Sequence, residues 1–374
     1  MRLRFFGFLS VALFVGLLAP TPASAQMAAQ RPLVVWSRTV KRPVSMSVSP
    51  DSRFAAVIDR AGTLAYYDST GKPLWSQDAG GATCVAIAGN GRILVTYTPL
   101  NPLRRRINIL TADGKTRWSR AVIGSVWSAA VSSDGAIAVV GTGTRRVYIF
   151  TLGRRLSYHR RTLPGIPCSL AFTPDDKSLV VGMWQESGVG LFDLNGKPRW
   201  WSKGFMDLQY TAEMSRSGAF ILGHGQPNRP QPRDVLALWK SDSAKLWQKR
   251  LGYGDVRAAI SVTGDVVGVS YRQQIAHGSQ EMSEQRLVMF GRNGEKVWDR
   301  EKGGLFLKPH LMMMLPGDQV MVSSENALYI LDRQGKTLWK QKLPGLVRQF
   351  VAAPDAGRIL LYCGDGRLYM FGQP

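Results

Sequence analysis

The chain has 374 residues and a formal charge of +22, from 48 Lys and Arg against 26 Asp and Glu. That length allows a full hydrophobic core, so the three widely spaced cysteines are not needed as disulfide staples and are expected to be small buried residues. The charge favours anionic partners, such as envelope polymers, lipid headgroups or acidic protein surfaces.

The first 25 residues have the pattern of a secretory signal peptide. Arg2 and Arg4 precede an apolar run over 5–18 and a small-residue site at 23–25. The run is too short to span a bilayer, and no Cys follows it to carry a lipid anchor. We therefore expect a linker over 26–32 and a periplasmic or secreted protein with no transmembrane segment. Nucleic acid is then not an expected partner.

Four short β-rich runs fill residues 44–77, with Gly, Pro or Asp turns between them. The runs are VSMSVS (44–49), FAAVID (54–59), TLAYYDS (63–69) and PLWSQ (73–77). This pattern predicts a four-stranded antiparallel sheet, whose strands we name A to D in chain order.

The end of this unit recurs along the chain as a phrase that closes on tryptophan. It reads DSTGKPLW, TADGKTRW, DLNGKPRW, GRNGEKVW and DRQGKTLW, with a weaker copy KSDSAKLW. In TLGRRLSY, Tyr158 takes the tryptophan position. A large flat ring on an outer strand can pack between neighbouring sheets, so we expect a structural role for these tryptophans. They are Trp36, Trp75, Trp118, Trp200, Trp247, Trp298 and Trp339.

Repetition at about 40–45 residues is typical of a β-propeller. The A–B turns recur eight times, as SPDS, AGNG, SSDG, TPDD, SRSG, SVTG, LPGD and APDA. We therefore predict an all-β, eight-bladed β-propeller of four-stranded antiparallel blades, forming a single domain over 33–374. The last unit stops after strand C, whereas residues 33–38 resemble a lone strand D. We expect 33–38 to close the last blade, because closure removes an open sheet edge.

The phrase D/T-x-x-G-K-x-x-W resembles the tryptophan docking motif of pyrroloquinoline-quinone (quinoprotein-like) propeller repeats, while segments such as SMSVSPDSRFAAV look like WD-type repeats. The resemblance covers essentially all of 33–374. It implies one of two functions. Some members are quinone-dependent dehydrogenases that bind Ca²⁺, and another is the non-catalytic propeller of the bacterial outer-membrane assembly machinery.

The residues favour the non-catalytic function. No cysteines are adjacent, as in the disulfide of the larger quinone enzymes, and no Asp, Glu and Asn cluster reads as a Ca²⁺ loop. We predict a binding or scaffold protein without cofactor or metal, and a monomer. The alternatives are a pyrroloquinoline-quinone-dependent dehydrogenase and a hydrolase or lyase with its site at the axial mouth. Candidate residues lining that mouth are Trp127, Tyr210, His310 and Arg348.

Positive charge is concentrated between residues 101 and 161. In a four-stranded blade, the B–C turns and D–A connections lie on one face, and the A–B and C–D turns lie on the other. We expect a set of basic residues to gather on the first of these faces and to bind an anionic partner. The set comprises Arg104, Arg105, Arg106, Arg145, Arg146, His159, Arg160 and Arg161. Long insertions at 223–234 and 272–286 fall on the same face, which we expect to be the working surface.

Overall fold

A computed structural model shows the architecture. It describes residues 32–79, 81–97, 104–184, 187–203, 208–227, 235–251, 256–277, 280–300, 311–353 and 357–372. The predicted signal peptide and nearly all of the predicted linker lie outside these ranges. No helix in the described part of the chain is long and apolar enough to cross a membrane.

The described residues form four-stranded antiparallel sheets, most of them built from consecutive strands. Blade 1 contains β2 (Pro43–Val48), β3 (Phe54–Asp59), β4 (Thr63–Asp68) and β5 (Pro73–Asp78). Blade 2 contains β6 (Ala82–Ile87), β7 (Ile93–Tyr97), β8 (Arg104–Leu110) and β9 (Thr116–Ile123). Blade 3 contains β10 (Val126–Val131), β11 (Ile137–Thr142), β12 (Arg146–Leu152) and β13 (Leu156–Thr162). Blade 4 contains β14 (Ile166–Phe172), β15 (Ser178–Trp184), β16 (Ser187–Asp193) and β17 (Pro198–Lys203).

Three more blades follow the same order from the inner strand to the rim. Blade 5 contains β18 (Leu208–Met214), β19 (Phe220–Pro227), β20 (Val235–Lys240) and β21 (Lys245–Arg250). Blade 6 contains β22 (Arg257–Ile260), β23 (Val266–His277), β24 (Gln280–Gly291) and β25 (Lys296–Arg300). Blade 7 contains β26 (Met312–Leu315), β27 (Gln319–Ser324), β28 (Ala327–Leu331) and β29 (Thr337–Lys342).

The remaining sheet joins the two ends of the chain. It contains β30 (Val347–Ala352), β31 (Arg358–Cys363), β32 (Arg367–Gly372) and, at its outer edge, β1 (Leu33–Thr39). Among the described residues, seven blades are thus each formed by consecutive strands. The remaining four-stranded sheet, blade 8, combines β1 with the last three strands. The closing strand runs one residue beyond the predicted 33–38. It is held to β32 by antiparallel pairing and by a hydrogen bond from Arg367 Nη2 to Ser37 Oγ at 2.9 Å.

The A–B turns are stabilised by a Ser or Thr at the end of strand A. Ser49 Oγ accepts the Phe54 amide at 2.9 Å and donates to Asp51 Oδ1 at 2.7 Å. Ser132 makes the same bonds to the Ile137 amide and to Asp134, at 2.9 and 2.7 Å. The recurring Ser/Thr-x-Asp pattern is therefore a local turn device, in which side chains satisfy nearby backbone groups.

The C–D turns explain the first half of the tryptophan phrase. In blade 1, Asp68 Oδ1 accepts the amides of Thr70 and Lys72 at 2.9 and 3.0 Å. Gly71 then adopts a φ of +79°, a conformation that costs a residue with a Cβ about 1–2 kcal/mol.

The second half of the phrase joins each blade to the next. Trp75 of blade 1 donates from Nε1 to the Ala112 carbonyl in the C–D turn of blade 2, at 2.8 Å. Trp200 and Trp247 reach the carbonyls of Ser241 and Arg292 in the same way, at 2.8 and 3.0 Å. The ring also lies against the turn glycine, so a Cβ on Gly114 would be 3.0 Å from Trp75 Cδ2. For these three tryptophans the contact joins an outer strand to the C–D turn of the next blade, whereas Trp36 and Trp298 pack on the turn glycine with Nε1 buried and without a hydrogen-bond partner among the described residues.

His159 performs this role between blades 3 and 4. Its Nε2 bonds to the Leu194 carbonyl at 3.0 Å, two residues before the turn glycine, as in the tryptophan contacts. The register of β12 and β13 pairs Ile149 with His159, whereas the assignment of Tyr158 to the tryptophan position is wrong by one residue. The cause is that β12 and β13 pair without a register shift, whereas the other C–D hairpins have one beside the tryptophan, as between Tyr66 and Tyr67 in blade 1.

A pair of glycine substitutions tests the close approach of the tryptophan. Gly71→Ala is expected to cost the strain of positive φ plus about 1–3 kcal/mol, since the new Cβ would lie 2.5 Å from Trp36 Cγ. Gly366→Ala is the matched control, because Gly366 has a φ of +82° and a Cβ at that position would have nothing within 4 Å. Urea unfolding measures both. Equal losses of stability would show that the ring contact contributes nothing.

Candidate functional site

The loop-bearing face is defined here as the side of the propeller that carries the B–C turns and D–A connections. In blade 3, Arg145 lies in the B–C turn with φ +58°, and Arg146 begins β12. Arg145 is exposed and Arg146 is half-buried. In blade 2, the exposed Arg106 pairs through its backbone with Tyr97 and Ala121. Both arginine groups therefore begin a strand C next to this face.

The backbones of Arg104 and Arg105 also belong to β8, opposite Ile123 and Val122 of β9. Their side chains lie outside the described part of the structure. The C–D turn that contains Arg154 and Arg155 lies at the opposite end of β12, and both residues are exposed. Two arginine pairs of one blade thus lie on opposite faces of the propeller.

Three residues of the predicted set are not in a D–A connection. His159, Arg160 and Arg161 lie within the outer strand β13, paired with residues 147–149 of β12. His159 and Arg161 both contact the next blade, and Arg161 Nε donates to the Asn195 carbonyl at 3.0 Å. Because β13 stays paired with β12 as far as Thr162, these residues lie in the outer strand on the rim and not in the predicted D–A connection.

The largest feature of the loop-bearing face is a β-hairpin of blade 6. β23 and β24 stay paired from Val266–Gly291 to His277–Gln280, whereas the inner strand β22 pairs only as far as Ser270 and the outer strand β25 only as far as Leu287. The pairs from Tyr271–Arg286 outward therefore extend beyond the rest of the sheet. The insertion predicted at 272–286 is a continued strand pair, and its two edges are unpaired within the described strands.

The predicted axial-mouth residues differ in their exposure to solvent. Trp127 is half-buried and packs against Trp184, with ring centroids 5.7 Å apart. Tyr210 is buried and belongs to the apolar core between blades 4 and 5. Arg348 is exposed on β30, and His310 lies outside the described residues. The described residues thus leave Trp127 and Arg348 as accessible positions.

The sequence reasoning missed two titratable groups, the half-buried Glu213 and the buried His224. The enclosed carboxylate of Glu213 on β18 accepts the Ile260 amide of the neighbouring inner strand, and burial raises its pKa to about 8. Ser47 Oγ makes the equivalent bond to the Ile87 amide at 3.2 Å. Burial and the charge of Arg257 lower the pKa of His224 to about 3. A sequence signal existed for Glu213, since the other A strands carry Ser, Ala or a larger apolar residue at that position, such as Ser47, Ala86 and Val351.

The described residues offer no ligand set for a metal ion. No three His, Cys, Asp or Glu side chains within the described ranges converge. The Ca²⁺ that quinone enzymes of this fold need would therefore find no carboxylate cluster among them. Cys84 and Cys363 are buried free thiols, and burial raises the pKa of each to about 12. Neither thiol is in a setting that would activate it as a nucleophile.

Comparison with known proteins supports the repeat type. Residues 33–203 match a family model described as outer membrane protein assembly factor BamB. The solved structure of BamB from Moraxella catarrhalis is 15% identical, with a TM-score of 0.65, and the alignment covers 91% of this chain and 100% of that chain. The chain is a β-propeller built from pyrroloquinoline-quinone-type repeats.

Other propellers share the fold at lower identity. The Dos1 propeller is 11% identical with a TM-score of 0.71, covering 92% of this chain and 97% of that one. Saccharomyces cerevisiae Sqt1 is 9% identical with a TM-score of 0.68, covering 92% and 100%. No curated protein matches the chain in sequence. These similarities define the fold.

The pH dependence of stability is expected to report Glu213. Its pKa rises from 4.5 in the unfolded chain to about 8 in the fold, so its contribution is complete below pH 4.5 and is lost as pH rises towards 8. Because the pKa of His224 is lowered from 6.5 to about 3, its effect on stability is lost as pH falls below 6.5, so it does not contribute to a change above that pH. Between pH 6.5 and 8, Glu213→Gln should flatten the decline in melting temperature, since the amide oxygen still accepts the Ile260 amide. An identical decline in both proteins would contradict this.

Proposed function

We propose that the protein is an exported, non-catalytic β-propeller that binds a protein or anionic envelope partner on its loop-bearing face. The observation that carries the proposal is the difference between the two faces. One face carries short turns whose polar side chains bond to their own backbone. The other carries the projecting hairpin of blade 6 and the arginines of blades 2 and 3.

Several acidic side chains of the opposite face are engaged within their own turns. Asp51, Asp134 and Asp175 each bond to the hydroxyl that begins their own turn. Asp68 and Asp193 each accept backbone amides of their own C–D turn. Such side chains serve the fold, and their replacement would weaken turns before it weakened binding.

Arg145 and Arg146 are the best-supported contacts for the partner. Both follow β11 in a turn on the loop-bearing face, and planar guanidinium groups suit bidentate bonds to carboxylate or phosphate. Arg104, Arg105 and Arg106 extend the proposed surface to blade 2. Arg160 remains in the proposal as a neighbour on the rim, while His159 and Arg161 also serve the joint between blades.

A scaffold function agrees with the description of the matching family, which is an assembly factor of the outer membrane. We extend that description to this chain as a proposal, together with a periplasmic location, a monomeric state and the absence of catalysis. The half-buried Trp127 and exposed Arg348 stay predicted positions for a small ligand at the axial mouth.

Two double charge reversals test the choice of face. Arg145→Glu with Arg146→Glu should reduce partner capture from an envelope extract at least about tenfold, because like charges would then meet the partner. Arg154→Glu with Arg155→Glu is the control on the other face of the same blade and should capture the partner as the wild type does. Mass spectrometry identifies and quantifies the captured protein, and melting temperatures confirm folding.

Two results would contradict the proposal. Equal capture by both variants and the wild type would remove the loop-bearing face as the binding surface. Dye reduction after addition of Ca²⁺ and pyrroloquinoline quinone, with a rise in melting temperature, would identify a dehydrogenase instead.

A further inference from the structure

The outer strands of blades 2 to 5 form a continuous region of positive charge on the rim. We name β9, β13, β17 and β21 together the basic belt. These four strands contain no Asp or Glu. Their basic residues are Arg117, Arg120, Arg160, Arg161, Arg199, Lys203, Lys245, Lys249 and Arg250.

The belt has clear limits on both sides. The preceding outer strand, β5, has Asp78 and no Lys or Arg. The following one, β25, has Asp299, whose carboxylate bonds to Arg286 and to Lys296. These four strands are thus the longest uninterrupted run of outer strands that carry Lys or Arg and no Asp or Glu, and β29 and β1 form a shorter run of the same kind.

Several cations of the belt are available to a ligand. Arg160, Arg199 and Lys203 are exposed, and no ion pair within the described residues involves them. Arg117 stacks on Trp118 with its Cζ 4.5 Å from the ring centroid, and Arg120 lies over Tyr158 at 4.9 Å. Stacking on a ring holds a guanidinium in place but leaves its charge uncompensated. The acidic residue nearest β9 in sequence, Asp113, is already paired with Lys115 at 3.1 Å.

The curvature of the rim limits what can contact the whole belt. Successive blades of a propeller are arranged radially around its axis, so the four outer strands face different directions. A flat surface such as a bilayer would contact one or two of them. A flexible chain can follow the rim and contact all four.

Two other extended ligands fit the belt less well. A peptide strand added to a sheet edge would follow one outer strand, whereas the cations recur across successive strands. A single-stranded nucleic acid needs a row of exposed rings on which bases stack. The exposed rings of the belt are Tyr158 and Trp201, and Arg120 already covers Tyr158. Repeated anionic groups on a flexible, weakly stacking polymer are the remaining match.

We propose that the basic belt binds a linear acidic polysaccharide that runs around the rim across blades 2 to 5. Carboxylate or sulfate groups of the polymer pair with the arginine forks, and Trp201 packs against a sugar ring. This surface lies apart from Arg145 and Arg146, so a polysaccharide and a partner on the loop-bearing face can bind together.

Binding of fluorescent heparin and of alginate, measured by anisotropy over a salt series, tests the proposal. The belt variant is Arg160→Glu, Arg199→Glu and Lys203→Glu, which removes no contact that the structure shows. The control is Lys41→Glu, Arg42→Glu and Arg60→Glu, with the same change in charge at exposed positions of the loop-bearing face. The belt variant should bind both polymers at least about tenfold more weakly and with a smaller salt dependence, while the control should change less than about threefold.

Each other outcome would overturn the proposal. If the two variants bind the polymers equally weakly, the polymers are attracted to the net charge of the protein and not to the belt. Tighter binding of a single-stranded oligonucleotide, of polyglutamate or of anionic vesicles, lost in the belt variant, would assign the belt to that ligand. The belt variant leaves the loop-bearing face unchanged. If it still captures the partner but loses the polysaccharide, the result for the belt is separate from the proposed scaffold function.

Discussion

The ring depends on one repeated contact, in which a tryptophan on the outer strand of one blade fits against the glycine turn of the next. The indole N–H satisfies a turn carbonyl, as Trp75 does at Ala112, and the ring occupies the space that a side chain on Gly114 would need. Blades 1, 2, 4, 6 and 7 have both the turn glycine and the tryptophan, whereas blade 3 uses His159 in place of the ring and the C–D turn of blade 5 has Ser243 at positive φ in place of glycine.

The closing strand shows why this contact matters for the whole chain. Trp36 lies on β1, which completes the composite blade, and the same ring packs on Gly71 of blade 1. Arg38 adds a bond from Nε to the Gly71 carbonyl at 3.0 Å. The segment β1 thus pairs with the edge of β32 and also contacts the C–D turn of blade 1. The pairing covers the edge of β32 that would otherwise be open.

Most of the fold followed from local patterns because a propeller blade is a local structure. The strands predicted from residues 44–77 match β2 to β5 within one residue or so, since turn chemistry and alternation are read directly from neighbouring residues. The joint at blade 3 was harder. His159 replaces tryptophan there, because β12 and β13 lack the register shift of the other C–D hairpins, and a change of one residue in register changes which side chain faces the next blade.

The candidate site was less predictable than the fold because it depends on where strands end. Arg145 and Arg146 follow a clear turn and were placed correctly relative to their strands. Arg160 and Arg161 were assigned to a connection, although backbone pairing carries β13 through both. The projecting hairpin was expected as a loop, and the enclosed carboxylate of Glu213 depends on a neighbouring strand that is distant in the chain. Contacts between blades of this kind are not encoded in any one repeat.

A double-mutant cycle on Trp75 and Gly114 tests the blade joint most directly. Trp75→Ala leaves the space that the new Cβ of Gly114→Ala would otherwise contest, so the glycine substitution should cost less in that background. We expect a coupling free energy of about 1–3 kcal/mol between the two substitutions in urea unfolding. The strain of positive φ does not contribute to it, because both backgrounds share that strain. Strictly additive losses would show that ring and turn do not interact, and would contradict the joint on which the ring is said to depend.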